Sequence, residues 1–465
     1  MDAARPSSLN VAILAAGEGK RMRSGLPKVL HPLGGRPLLA HVIATARKLH
    51  ADRICVVYGH GGEAVRERFP DPDLRWALQN PPQGTGHALV QALPYFTGDG
   101  VTLVLFGADP LVRTETLEAV LKLARDGALS LLTIELDDPA LYGRIVRDAG
   151  GAVQAIVEYK DASAEQRRIR EINTGVMAAP TEAFARWLPM IGNRNAAGEY
   201  YLTDVIALAR SEGTRVEATR ATNVIETLGV NTMRELAELE RMYQRAQADA
   251  LLDEGVLLAD PDRIEIRGTL DCGRNVAIDV GCVFEGTVRL GDGAAVGAYC
   301  VLKDSNIEAG AQILPYSHVE GASVGANARI GPYARLRPGA ELAADVHIGN
   351  FVEVKASSIG RGSKANHLAY IGDTTLGAGV NFGAGSITAN YDGANKHRTV
   401  VEDEASIGSN CVLVAPVKIG RGATIGGGST IAKEAPPNTL TLARAPQVSV
   451  SGWKRPLKKP KAGKG

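Results

Sequence analysis

The sequence predicts two folds in one chain of 465 residues: an α/β domain on a mainly parallel sheet, then a parallel β-helix, with one long helix between them. Three observations predict it. Buried-strand patterns alternate with helical ones from residue 9 to 230. A run rich in Ala, Leu, Glu, Arg and Gln follows, without Gly or Pro inside it. Beyond that run, apolar residues recur at every sixth position. Composition agrees: glycine is high at 53 residues and aromatics are low at 5%. Part of the molecule is therefore built from small side chains.

The first element is LNVAILAAG, a buried strand that runs into a glycine turn. Similar strands fall at Arg53–Tyr58, Val101–Phe106 and Ser130–Glu135, with helical patterns such as Leu38–Leu49 and Thr114–Arg125 between them. This order implies helices on both faces of the sheet, and ligands at the carboxyl ends of its strands. VNTMRELAELERMYQRAQADALLDEG, residues 230–255, reads as one helix capped by Asn231 or Thr232 and closed by Gly255. One strict hexad run is Val324, Ile330, Leu336, Leu342, Ile348, Val354. A second is Val401, Ile407, Leu413, Ile419, Ile425, Ile431, and a weaker one is Val276, Cys282, Val288, Ala294, Cys300. A six-residue period fits neither a helix nor an amphipathic strand. It fits a solenoid of short strands, each placing one aliphatic side chain inward. The expected division is 1–230, a helical arm at 231–254, a β-helix at 255–445, and a basic tail at 446–465. The tail carries six basic residues and no acid from Lys454 on, and reads as a solubilising end.

Composition also excludes. Fifty-two basic against 51 acidic residues leave a net charge of +1, which argues against a nucleic-acid partner. No run of 18 apolar residues exists, so no membrane insertion is expected. The N-terminus lacks a secretory pattern. Five cysteines without a CxxC pair disfavour a disulfide framework or a zinc site and favour the cytoplasm.

Chemistry enters at LAAGEGKRM, residues 14–22, with Lys28 in LPKVL beyond it. Glycines let backbone N–H groups approach a phosphate, and Lys and Arg offset its charge. The loop is neither a Walker A motif nor GxGxxG. With GTGHA at 84–88, YGRI at 142–145, EYKDA at 158–162, EINTGV at 171–176 and GVN at 229–231, it resembles the signature of the sugar-1-phosphate nucleotidyltransferases. The repeats carry NFVEVKAS, KANHLAYIGD and ITANYDGANKHRT. With them the chain, from about residue 9 to 456, resembles the bacterial bifunctional N-acetylglucosamine-1-phosphate uridyltransferase and glucosamine-1-phosphate acetyltransferase family.

The resemblance implies a Rossmann-like nucleotidyltransferase domain and a left-handed parallel β-helix. It also implies the roles of residues. Leu14, Ala15, Ala16 and Gly17 contact the uridine nucleotide, and Arg21 and Lys28 face its phosphates. Gln79, Gly84 and Thr85 read the uracil. Gly143, Glu158 and Asn173 hold the sugar, and Asn231 ligates Mg2+. The co-substrate there is UTP. One departure stands out. The family's Tyr-Gly-Asp-x-Pro reads Phe106-Gly107-Ala108-Asp109-Pro110 here. Ala108 cannot bind a metal, and on an extended chain its neighbour points to the other side. Either the turn distorts so that Asp109 serves, or the first activity is weakened or lost.

In the repeats, a neutral imidazole suits proton uptake near pH 7. His367 resembles the family's proton acceptor, with Glu353 orienting or tuning it. Arg337, Lys355, Tyr370 and Asn381 match the glucosamine-phosphate grip. The segment 387–399 breaks the hexads, which maps to a protruding loop. There Asn390 and Tyr391 resemble residues of the acetyl site, Asn390 placed to polarise the thioester, and Lys396 is a further phosphate candidate. Ala384, Ser409, Gly427 and Arg444 match acetyl-CoA contacts. The resemblance implies a cytoplasmic homotrimer that makes UDP-N-acetylglucosamine, a precursor of cell-wall polymers. Two rivals remain at this point: an acetyltransferase whose N-terminal site is impaired by Ala108, and a non-catalytic regulatory scaffold.

Overall fold

The structure is a computed structural model, and it describes residues 8–59 and 61–457. The readings that rest on the first seven residues, and on the tail from residue 458, lie outside the described residues. Two compact units form. One comprises Met1–Ala248 and Ile266–Gly268, the other Asp249–Glu265 and Thr269–Gly465.

The first unit is a sheet whose main path runs 216–220, 129–135, 171–180, 101–106, 9–15, 53–59, 74–79. Leu9–Ala15 is central and pairs in parallel with both Arg53–Gly59 and Val101–Phe106. Its seven residues are all buried, as their unbroken apolar pattern requires. Only Glu171–Pro180 runs antiparallel within that path. One face packs Leu39, Val42 and Ile43 with Leu117, Val120 and Leu121. The other packs Leu89, Phe184, Trp187 and Ile206. Each such side chain contributes about 1.5–3 kcal/mol on burial.

The long helix spans Met233–Asp253, slightly inside the expected run. A reciprocal capping box starts it. Thr232 Oγ1 accepts from Glu235 N at 3.2 Å, while Glu235 Oε2 accepts from Thr232 N at 3.2 Å and from Asn231 N at 2.6 Å. Gly255, with φ of 88°, ends it.

The second unit is a parallel β-helix of three ladders. In one, Ile330 pairs with Ile348, then Ala365, Phe382, Ile407 and Ile425. In another, Val324 pairs with Leu342, then Ile359, Leu376, Val401 and Ile419. Leu336, Val354 and Ile371 belong to the third. Every residue of the three hexad runs is buried. The reason is geometric: a coil returns after three hexads, so each aliphatic side chain stacks on its equivalent one coil away.

One corner holds a feature outside the hexads. Tyr299, Tyr316, Tyr333 and Phe351 stack face to face, with centroids 5.4, 5.0 and 5.4 Å apart. All four have positive φ and stay 47–56% exposed. The next residue up the corner is Leu368, with φ of 49° and 63% exposure, directly after His367. Stacked rings gain about 0.5–1.5 kcal/mol per pair beyond burial, which offsets the left-handed backbone.

All five cysteines are free thiols. Burial pushes those of Cys55 and Cys300 up to about 12. Among the described residues no helix is long and apolar enough to cross a membrane.

Candidate active sites

A cleft of about 620 Å³ opens at the carboxyl ends of the strands of the first unit. Leu14, Ala15, Ala16 and Gly17 line it where the first strand ends, opposite Gln79, Gly84 and Thr85. The glycine loop folds back on Lys28. Gly19 has φ of 62°, and a Cβ there would sit 2.9 Å from Lys28 Cβ, so only glycine fits. Buried Gln79 donates from Nε2 to the Gly84 carbonyl at 2.9 Å. Gly84, with φ of 106°, approaches the Tyr200 backbone. Thr85 Oγ1 accepts from Leu202 N at 3.0 Å. Arg21 is exposed and does not line the cleft, yet its charge acts on Lys28.

Beside the cleft, Asn173 N donates to the Gly143 carbonyl at 2.8 Å. Gly143 in turn faces Glu158: a Cβ would stand 3.2 Å from Glu158 Oε1. Glu158 is held above the usual carboxylate range, first by burial, then by Asp161 and Asp204. Tyr142 and Thr174, which the sequence reading passed over, line the cleft next to these residues.

The turn at 106–110 resolves the open point about geometry. The strand ends at Phe106, and Asp109 N donates to the Phe106 carbonyl at 3.2 Å. The chain is therefore a tight turn, and the alternation of an extended strand does not apply. Ala108 is 5% exposed and packs in the core with Val29 and Leu39. Its carbonyl accepts from Val230 N at 3.0 Å. Asp109 lines the cleft with Lys28 and Asn231, its carboxylate pressed against Gly229. Burial pushes the Asp109 carboxyl up to about 7, against the opposing pull of Lys28. Burial holds Lys28 below the usual lysine range. Lys28 Nζ donates to Asn231 Oδ1 at 3.1 Å.

In the β-helix, exposed His367 pairs in register with Asn350, and Nδ1 lies 2.9 Å from Asn350 Oδ1. An amide oxygen there favours the Nδ1–H tautomer and leaves the Nε2 lone pair free. Glu353 makes a different bond: Arg337 Nη1 donates to its Oε1 at 2.8 Å. His367 lies in one ladder, and Glu353 lies in the next, opposite Tyr370.

Lys355 Nζ donates to Asp373 Oδ2 at 3.3 Å, and Asn390 Nδ2 donates to the same oxygen. Gly372 lets Tyr370 and Asn390 close in: a Cβ would lie 2.6 Å from Tyr370 Cζ and 2.9 Å from Asn390 Nδ2. Asn381 is exposed, on the ladder of His367, one coil on from Lys364. Tyr391 stands out on the insertion loop, 62% exposed, and its hydroxyl donates to the Gly393 carbonyl at 2.6 Å.

The last four expected contacts form a strip along successive coils. The Ala384 carbonyl accepts from Asn410 N at 2.8 Å, and the Ser409 carbonyl accepts from Gly428 N at 2.8 Å. Arg444 Nη1 donates to the Gly427 carbonyl at 2.8 Å. Asn350 and Asp373 escaped the sequence reading. Their signal was one coil away in sequence, and only the coil register supplies it.

Comparison with known proteins follows the two units. Residues 11–172 match the MobA-like NTP transferase domain, and residues 398–433 match the bacterial transferase hexapeptide of six repeats. Among the relatives, the Bifunctional protein GlmU of Azoarcus sp. (strain BH72) is 57% identical over 450 residues, covering 97% of this chain and 100% of its own. That of Ralstonia nicotianae is 58% identical over 453 residues, covering 97% and 100%. That of Nitrosospira multiformis is 57% identical over 456 residues, covering 98% and 99%. At that identity over nearly the whole of each chain, the protein belongs to the family of the bifunctional GlmU proteins.

Proposed function

We propose that the protein makes UDP-N-acetylglucosamine in two transfers, one per unit. The single observation that carries this reading is the coexistence of both constellations in one chain: a phosphate-ready cleft with Lys28, Asp109 and Asn231, and a β-helix that carries both His367 and the Lys355–Asp373–Asn390 cluster. A scaffold would need neither.

In the β-helix, His367 Nε2 takes a proton from the amine of glucosamine 1-phosphate. The amine nitrogen attacks the thioester carbon of acetyl-CoA. A C–N bond forms, the C–S bond breaks, and coenzyme A leaves as the thiol. Asn390 polarises the carbonyl oxygen. Arg337 and Lys355 grip the phosphate, with Tyr370 and Asn381 beside the sugar. The strip Ala384, Ser409, Gly427 and Arg444 faces acetyl-CoA.

In the cleft, a phosphate oxygen of N-acetylglucosamine 1-phosphate attacks the α-phosphorus of UTP, and pyrophosphate leaves. Gln79, Gly84 and Thr85 hold the base, and Gly143, Glu158 and Asn173 hold the sugar. Lys28 and Arg21 offset phosphate charge. The residues fit Mg2+. Asp109 is a desolvated carboxyl that a cation would relieve, and Asn231 offers an amide oxygen. Among the described residues no cluster of three His, Cys, Asp or Glu forms a closed metal cage. Magnesium commonly takes one or two carboxylates and completes its shell with phosphates and water. Bound there, it supplies charge against the phosphates.

We also place the protein in the cytoplasm as a homotrimer. The exposed stack Tyr299, Tyr316, Tyr333 and Phe351, running up to His367, supports contact between copies at that corner. The test of the function is one reaction mixture with glucosamine 1-phosphate, acetyl-CoA, UTP and Mg2+. Thiol and pyrophosphate released one to one support the reading. Thiol without pyrophosphate would leave an acetyltransferase alone, and neither product would leave a scaffold.

A further inference from the structure

We infer that Asp373 is a positioning residue shared by the sugar-phosphate and acetyl subsites, coupling Lys355 to Asn390 through one carboxylate oxygen. This rests on the acetyl-transfer reading above.

Asp373 Oδ2 accepts from Lys355 Nζ at 3.3 Å and from Asn390 Nδ2. The Lys355 and Asp373 side chains are only 17% and 22% exposed, so water screens the pair weakly. A carboxylate repels a phosphate, so phosphate binding cannot be its role. Folding does not call for it either. Lys355 pairs with Gly372, which puts Ala356 at the same corner one coil earlier. Ala356 has φ of 45° and Asp373 has φ of 48°, so a methyl side chain serves that backbone. The backbone bonds of Asp373, from its N to the Lys355 carbonyl and from Thr399 N to its carbonyl, need no side chain.

The carboxylate has two effects. It anchors Lys355 beside Lys396, whose neighbouring charges repel. It also fixes the Asn390 amide with its nitrogen inward. Nδ2 carries two hydrogens, and Asp373 engages one, leaving the other for a carbonyl oxygen. Gly372, with no side chain, leaves room beside it for both Tyr370 and Asn390. When a phosphate draws Lys355 away, Asp373 is left to Asn390 alone and binds it more tightly. Sugar phosphate and acetyl-CoA should therefore each tighten the other, by reciprocity.

The test uses the full chain. Asp373→Ala should raise KM for both glucosamine 1-phosphate and acetyl-CoA about tenfold. It should leave uridylyl transfer and the unfolding temperature unchanged. Asp373→Asn keeps an acceptor oxygen, so it should recover most of the acetyl-CoA loss. A merely structural residue would move stability and show no such recovery. Both KM values within twofold of the natural protein in Asp373→Ala would overturn the inference, as would failure of Asp373→Asn to recover. Lys355→Ala separates the two levels. If it leaves KM for glucosamine 1-phosphate unchanged, the site reading itself fails. If it raises that KM and Asp373→Ala does not, only the coupling fails. Should Asp373→Ala not fold, Asp373→Asn combined with Lys355→Ala decides: non-additive effects support the coupling, and additive ones overturn it.

Discussion

Gly229→Ala tests where the structure puts the Asp109 carboxylate. The Gly229 backbone lies outside the left-handed region, so alanine fits its φ without strain. The added Cβ would stand 3.3 Å from Asp109 Cγ and 3.8 Å from Oδ2, and would overlap Oδ1. The carboxylate must move by about 1 Å to clear it, and a misplacement of that size costs ~10²-fold in rate. Magnesium tolerates little of it, because its oxygen ligands sit at about 2.0–2.1 Å. The expected loss in uridylyl kcat/KM is therefore ~10²-fold, or ~2.7 kcal/mol. The assay is Mg2+-dependent pyrophosphate release, with thiol release as the internal control, since acetyl transfer should not change. Adding Asp109→Ala should make Gly229→Ala nearly silent, because its target is gone. More than half of the natural uridylyl rate in Gly229→Ala would refute the reasoning.

Other expectations follow from the second unit. His367→Ala should cut acetyl transfer by ~10²–10⁴-fold and spare uridylyl transfer, read in the same two assays. Tyr316→Ser with Tyr333→Ser removes two of the four stacked rings, and light scattering should then show a smaller assembly than the trimer expected of the natural chain.

Much of the architecture was legible because its physics is local or periodic. The interior of a narrow coil takes mostly aliphatic or small side chains, so Val324, Ile330 and Leu336 announce the period. Thr114–Arg125 has the bounds its apolar spacing predicts. What escaped depends on register between coils. The rings of Tyr299, Tyr316, Tyr333 and Phe351 meet only after a full turn of the solenoid, and so do Asn350 and His367. Glu353 illustrates the same point. Its carboxylate meets Arg337, 16 residues back along the chain, only once the coils are in register. For Asp109 the sequence leaves two outcomes open, because alternation holds only on an extended chain, and the bond from Asp109 N to the Phe106 carbonyl turns the chain there.

The most direct measurement is the Mg2+ dependence of uridylyl transfer in the natural protein and in Asp109→Ala. The carboxylate proposed to meet the ion is that of Asp109, one residue beyond Ala108. A saturable Mg2+ response is expected in the natural protein and at least ~10²-fold loss in the variant, not restored by raised Mg2+, with acetyl transfer intact. An undiminished rate in Asp109→Ala would contradict that proposal, and would leave Asn231 and the substrate phosphates to hold the ion without a carboxylate from this turn.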